Sequence, residues 1–225
     1  SMVAHAEEFY YTVFQNREDE ERIPSAVAET RRSGAYVTPN LSLFEAMTAQ
    51  WGKPEQVVKY LADPRALAMS PGVRLWWVRD WRQRRSGDLS EMLHFLRKFT
   101  KALQQAGVPL LAGTDSPGIP GMYPGYSIHH DLRALRDAGL SNYQALVAAT
   151  RTPGEFIASQ VPGAPRFGQL LVGMKADAVL VDGNPLDSLD VLEHPVGVMT
   201  AGRWMTMQQL TEIVEAQKKT YQSLY

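Results

Sequence analysis

Apolar positions along most of this chain alternate between a helical period and short extended runs. Ile23, Val27 and Thr30 share one face at helical spacing. Gly34 stands where a helix C-terminus favours a left-handed residue, so a helix is expected over 23–33. The run Ala35-Tyr36-Val37-Thr38 is β-rich, and Pro39 must fall at or past its end. Residues 45–88 read as helical pieces around Pro54, Pro64 and Pro71. From Leu89 to Ala106 the helical period is strong, with Leu93, Leu96, Phe99 or Thr100, and Leu103 inward and Gly107 closing the element. The stretch 108–113 is then unbroken apolar, as in a parallel strand buried on both faces.

A Gly/Pro-rich loop over 116–126 follows Asp115. Ser127 is expected to cap a helix with Ile128, Leu132 and Leu135 inward. Ser141 and Gln144 form a capping-box pattern that opens another helix to about Thr150. Val3-Ala4-His5 reads as the end of a strand. The alternation over residues 1–160 argues for a parallel α/β arrangement. Residues 161–207 change character, with short β runs at 178–181 and 196–199 and Gly-containing turns, which suggests a small β unit. Leu210, Ile213 and Val214 indicate a terminal helix within 208–225.

Composition narrows the classes. The chain has 225 residues, 44% apolar and 21% charged, enough for a real core. No apolar run approaches the roughly 18 residues of a membrane span. A net charge of −1 leaves no overall footprint for nucleic acid or a membrane surface. With no Cys, disulfides, thiolate metal sites and Cys nucleophiles are excluded, and a reducing, cytoplasmic setting is favoured.

Asp115 is the leading candidate for chemistry. It directly follows the expected buried strand, and a carboxylate at such a strand end can bind a metal ion or take a proton. It can equally cap a loop. His5 occupies the same kind of position, and neutral imidazole is a common metal ligand. Glu7 and Glu8 read as a solvated start to the next segment, or one of them orients His5. His129 and His130 are adjacent and so point to different helix faces; His130 is carried as a candidate substrate contact. Gly125-Tyr126-Ser127-Ile128-His129 fails as a nucleophile elbow, having His in fifth place and no preceding strand. The Arg- and Trp-rich stretch 74–85 reads as a partly buried helix with a charged face. Its alternative roles are nucleic-acid stacking or a wall over the site, with Trp76, Trp77 and Trp81 beside a substrate.

In order, the features make a pattern. His-Ala-Glu-Glu-Phe at 5–9 is followed by Ser-Gly-Ala-Tyr-Val-Thr-Pro-Asn-Leu at 33–41 and by Ala-Gly-Val-Pro-Leu-Leu-Ala-Gly-Thr-Asp at 106–115. Ala-Ala-Thr-Arg-Thr-Pro at 148–153 and Ala-Asp-Ala-Val-Leu-Val-Asp-Gly-Asn-Pro-Leu at 176–186 come next, and Ala-Gly-Arg-Trp at 201–204 closes the series. This resembles the C-terminal half of an amidohydrolase-superfamily enzyme, in its imidazolonepropionase-like and prolidase-like branch. The resemblance implies strands six to eight of a (β/α)8 TIM barrel plus part of a small β-sandwich. It implies one or two divalent metals, usually zinc, that activate water against an amide, peptide or cyclic amide bond of a small substrate. By position, His5 resembles the metal-ligating His after strand six. Asp115 resembles the metal-ligating Asp after strand eight, which also serves as general base. The family's His-x-His, bridging Lys or Glu and further His would lie upstream of residue 1. Two ligands are fewer than a catalytic zinc's customary three protein donors. The expectation is therefore a hydrolase fragment, weak or inactive alone, that pairs with the missing half or a second copy. A non-catalytic, self-associating remnant of the barrel is the competing expectation. Neither reading calls for nucleic acid or a membrane as partner.

Overall fold

The computed structural model describes residues 1–223, apart from the side chain of Trp81. Three extended segments lie side by side. Strand β1 (Met2–Ala4) pairs in parallel with β2 (Tyr36–Thr38), Val3 opposite Val37. Val37 in turn bridges Leu110 in parallel.

The stretch 108–113 thus lies where a third strand is expected, yet makes only this bridge. Leu111 N–H donates to Val37 O (2.9 Å) and Val37 N–H to Pro109 O (3.0 Å). Pro109 has no N–H to extend the ladder, and Ala112 N–H turns away to Ala148 O (2.9 Å).

Helices connect the extended segments. After β1 come α1 (Glu7–Thr12) and α2 (Ile23–Ser33). Helix α2 has Pro24 in its first turn and ends on left-handed Gly34, φ 66°. After β2 come α3 (Leu41–Gln50), α4 (Pro54–Ala62), α5 (Pro71–Val78) and α6 (Ser90–Gln105). After Leu110 come α7 (Ser127–Asp137), α8 (Asn142–Ala149) and α9 (Arg151–Gln160).

The main core gathers residues of α1, α2, α3, α6, α7 and α8, and an aromatic cluster links α6 to α1 and the residues just after it. Phe14 packs edge-on against Phe95 (4.8 Å between centroids) and Phe99 (5.3 Å), and Phe9 lies 4.9 Å from Phe99. Such pairs add about 0.5–1.5 kcal/mol each beyond area burial. A second, smaller core joins Ala66, Met69 and Trp77 to Tyr123, and so ties the segment around α4 and α5 to the loop after Asp115.

Two caps contrast. Ser141 and Gln144 form the full reciprocal box on α8. Ser127 does not cap α7: it is the helix's first residue and buried, and Tyr126 precedes it without a side-chain capping bond.

The last part of the described chain is a three-stranded antiparallel sheet, β3 (Ala178–Leu180), β4 (Gly197–Thr200) and β5 (Arg203–Thr206), followed by α10 (Met207–Gln222). Of the 208–225 segment, residues 224 and 225 lie outside the described part. Gln217 Nε2 donates to Ala68 O (2.7 Å), bracing α10 against the segment that precedes α5. Among the described residues, no helix is long and apolar enough to cross a membrane.

Candidate active site

The three extended segments each end on a residue that turns into left-handed backbone. His5 (φ 72°) follows β1, Asn40 (φ 55°) follows β2, and Asp115 (φ 50°) follows the Leu110 stretch. Such a conformation is uncommon for residues other than Gly and is held by its surroundings. His5 N–H donates to Thr38 O (2.8 Å) and Ala6 N–H to Pro39 O (3.2 Å), which carries the β1–β2 pairing through the turn. Gly113 is required beside Asn40, because a Cβ there would lie 2.4 Å from Thr38 Cγ2.

The Asp115 loop is pinned by buried neighbours. Trp77 Nε1–H donates to Pro117 O (3.0 Å), and Gln50 Nε2 donates to Pro120 O (2.9 Å). Gly118 N–H donates to Asp115 O (2.6 Å). A Cβ at Gly118 would come within 2.8 Å of Asp115 Oδ2, so the absence of a side chain there leaves room for the carboxylate.

The result is a linear constellation of three groups. Glu7 Oε1 lies 3.0 Å from His5 Nδ1, and His5 Nε2 lies 3.9 Å from Asp115 Oδ2. Glu7 is 12% exposed, His5 28% and Asp115 51%, so the series runs from interior to solvent. The Glu7 hydrogen bond, against partial burial, raises the His5 pKa above its ordinary value. In the neutral tautomer with its proton on Nδ1, His5 would donate to Glu7 and leave Nε2 free on the side of Asp115. That is how a carboxylate orients a metal-binding imidazole.

These residues line a cleft of about 280 Å³. Leu43, Phe44, Met47 and Met92 also line it, together with Tyr11, Trp51 and Arg82. His5 Nε2 and Asp115 Oδ2, 3.9 Å apart, could hold two positions of one ion. Among the described residues no set of three His, Asp or Glu side chains is arranged to bind a metal. His5 and Asp115 alone could therefore supply only two of the donors a metal centre needs.

The other expected contacts lie elsewhere. His130 Nε2 pairs with Glu45 Oε2 (2.9 Å), and His130 faces a separate cleft that shares no lining residue with the first. Trp77 is fully buried in the small core, and Trp76, though exposed, does not line the Asp115 cleft. The Trp81 side chain lies outside the described part. From the same Arg-rich stretch it is Arg82 that reaches the cleft, held by buried Asp80 (2.8 Å). Sequence reading had no signal for Gly118, nor for Gln50 and the buried Asp131, which bond to Pro120 and to Ser42 and Gly113, distant in sequence.

No family model and no curated protein matches the chain. Solved structures do, and they define its class: the chain has the fold of part of an amidohydrolase, as its motifs implied. A bottromycin amidohydrolase matches at 25% identity and TM-score 0.64, over 98% of this chain and 48% of that one. A Xaa-Pro dipeptidase with methionine bound in its active site matches at 18% identity and TM-score 0.53, over 81% of this chain and 37% of that one. The A. niger ochratoxinase matches at 22% identity and TM-score 0.51, over 84% and 35% respectively. The chain spans less than half the length of each.

Proposed function

We propose that the chain is the part of a metal-dependent amidohydrolase that carries strands six to eight of its barrel, with β1, β2 and the Leu110 stretch in those places. The observation that carries this reading is the convergence of two strand-end residues, His5 Nε2 and Asp115 Oδ2 at 3.9 Å, with Glu7 behind the imidazole. His5 and Asp115 would each donate to a divalent ion, zinc by preference, and the remaining donors would come from outside this chain. When bound, such an ion supplies Lewis acidity and a water of lowered pKa. Glu7 fixes the His5 tautomer. Asp115 acts as general base, taking a proton at a carboxylate oxygen and returning it to the leaving nitrogen. The apolar side chains contributed by α3 and Met92 suit a small amide or peptide-like substrate with an apolar group.

Hydrolysis of small amides and dipeptides with added Zn²⁺, measured on the chain alone and with an upstream amidohydrolase half supplied in trans, tests this reading. The expected result is weak turnover alone, gain on complementation, and loss of about 100-fold or more in Asp115→Asn. Full activity in Asp115→Asn removes the assigned base.

A second reading has its own observation. Leu170 (79% exposed) and Val172 (107%) stand in solvent, as do Val179 and Leu180 of β3. Apolar surface of this kind suits a non-catalytic partner-binding or self-associating protein. A stable oligomer in light scattering, with no turnover under any complementation, favours that alternative.

A further inference from the structure

We infer that Asp131 is a positioning residue for the His5–Asp115 site: its buried carboxylate clamps the first turn of α3, which follows β2, to the segment that leads into Asp115. Its link to catalysis rests on the reading just proposed.

Asp131 lies on α7 and is 0% exposed. One carboxylate oxygen, Oδ1, accepts from Ser42 N–H (3.2 Å) and from the Ser42 hydroxyl (2.9 Å). The other, Oδ2, accepts from Gly113 N–H (3.0 Å). Ser42 stands two residues past left-handed Asn40, and Gly113 stands two residues before left-handed Asp115. One side chain therefore ties the start of α3, just past β2, to the end of the Leu110 stretch, just before Asp115. Trp77 and Gln50 pin the far side of the Asp115 loop at Pro117 and Pro120. Asp115 is thus held between fixed points on both sides.

A plain core-filling role does not account for a carboxylate here. The neighbouring inward positions of α7 are Leu132 and Leu135, and no cation is within ion-pair distance of Asp131 among the described residues. Ionising such a group in the interior is costly, and burial accordingly raises its pKa to about 6. The three-donor geometry is specific for a carboxylate. In the Asp131→Asn variant one face of the side chain becomes an NH2 donor. It must then confront either Ser42 N–H or Gly113 N–H, so one backbone amide loses its acceptor.

The test uses the full chain with Asp131→Asn and, separately, Ser42→Ala. Fold is followed by circular dichroism and thermal melting, and the site by amide NMR shifts of Ser42, Gly113 and Asp115. Co²⁺ affinity is read from paramagnetic shifts at His5. A folded Asp131→Asn is expected to shift the Gly113 or Ser42 amide and to move the Asp115 amide. Its Co²⁺ affinity should fall by about 10–100-fold, the usual cost of losing a group that supports metal ligands. Ser42→Ala, which loses only the hydroxyl bond, should show the same changes in smaller degree. Wild-type Asp115 shifts and Co²⁺ affinity within twofold in folded Asp131→Asn overturn the proposal. If that variant does not fold, unchanged Asp115 shifts in Ser42→Ala overturn it. Should His5→Ala and Asp115→Asn leave Co²⁺ binding unchanged, the metal reading fails by itself, while the amide shifts still decide whether Asp131 sets the Asp115 backbone.

Discussion

Replacing Asp131 by Asn should flatten the pH dependence of stability, and the size of the effect follows from burial. In the folded chain this carboxyl has its pKa raised from 3.8 to about 6, first by desolvation and only partly offset by the Ser42 and Gly113 hydrogen bonds. Because the folded state binds this proton more tightly than the unfolded one, Asp131's contribution is fully present below about pH 4. It is lost as pH rises through about 6. A shift of about two units corresponds to about 3 kcal/mol. Other groups titrate in the same range. His5, with its raised pKa, also loses stabilisation as pH rises through its folded value. Glu45 behaves oppositely: its pKa is lowered, because His130 and Arg97 together outweigh its burial. The informative quantity is therefore the difference between wild type and Asp131→Asn, in which those contributions cancel. Urea unfolding at pH 4, 5, 6 and 7 measures it. Wild type should lose about 3 kcal/mol more than the variant between pH 4 and 7. Parallel stability curves would refute the claim that this carboxylate is buried without a countercharge.

Two further substitutions probe the clamp and the imidazole. Trp77→Ala empties the centre of the small core and deletes the hydrogen bond to Pro117, so urea unfolding should show a loss of about 3–5 kcal/mol; a loss under about 1 kcal/mol would mean that this core is not formed. Glu7→Gln keeps an acceptor beside His5 Nδ1 but removes the charge, so the His5 pKa should fall in a ¹H NMR titration. An unchanged His5 titration would show that the Glu7 contact is absent in solution.

Local signals in the sequence located much of this architecture. Helices α2 and α6 were readable because each has a regular apolar face and a Gly past its end, and α8 because Ser141 and Gln144 stand three apart. His5 and Asp115 stand out in the sequence because each follows an extended apolar run, and the structure brings them within 3.9 Å. The 108–113 stretch was over-read as a strand: hydrophobicity reports burial, whereas ladder formation also needs amide groups, and Pro109 and Ala112 withhold theirs. Helix α9 was missed because Pro153 and Gly154 look like breakers. Pro153 is tolerated in the first turn, and Gly154 is needed because a Cβ there would meet Phe167 O at 2.1 Å. Trp77 looked like a site residue because a Trp beside Arg residues carries no label for inside or outside. Asp131 was invisible because its partners lie 89 and 18 residues away.

The distribution of backbone strain points to where the fold is most constrained. Six described residues other than Gly have positive φ, and three of them are His5, Asn40 and Asp115 at neighbouring segment ends. Each such residue costs about 1–3 kcal/mol. A fold needing only stability would place Gly there, as it does at Gly34, Gly107 and Gly139, where no chemistry is expected. Here the strained positions keep an imidazole, an amide and a carboxylate, and the surrounding clamps hold two of them within 3.9 Å. Asp131 and Trp77 sit outside the cleft and touch no cleft carboxylate, yet each bonds to backbone within two residues of Asp115. A binding surface that used only the exposed apolar sheet would need none of this restraint around Asp115. The restraint therefore favours the hydrolytic reading over the self-associating one.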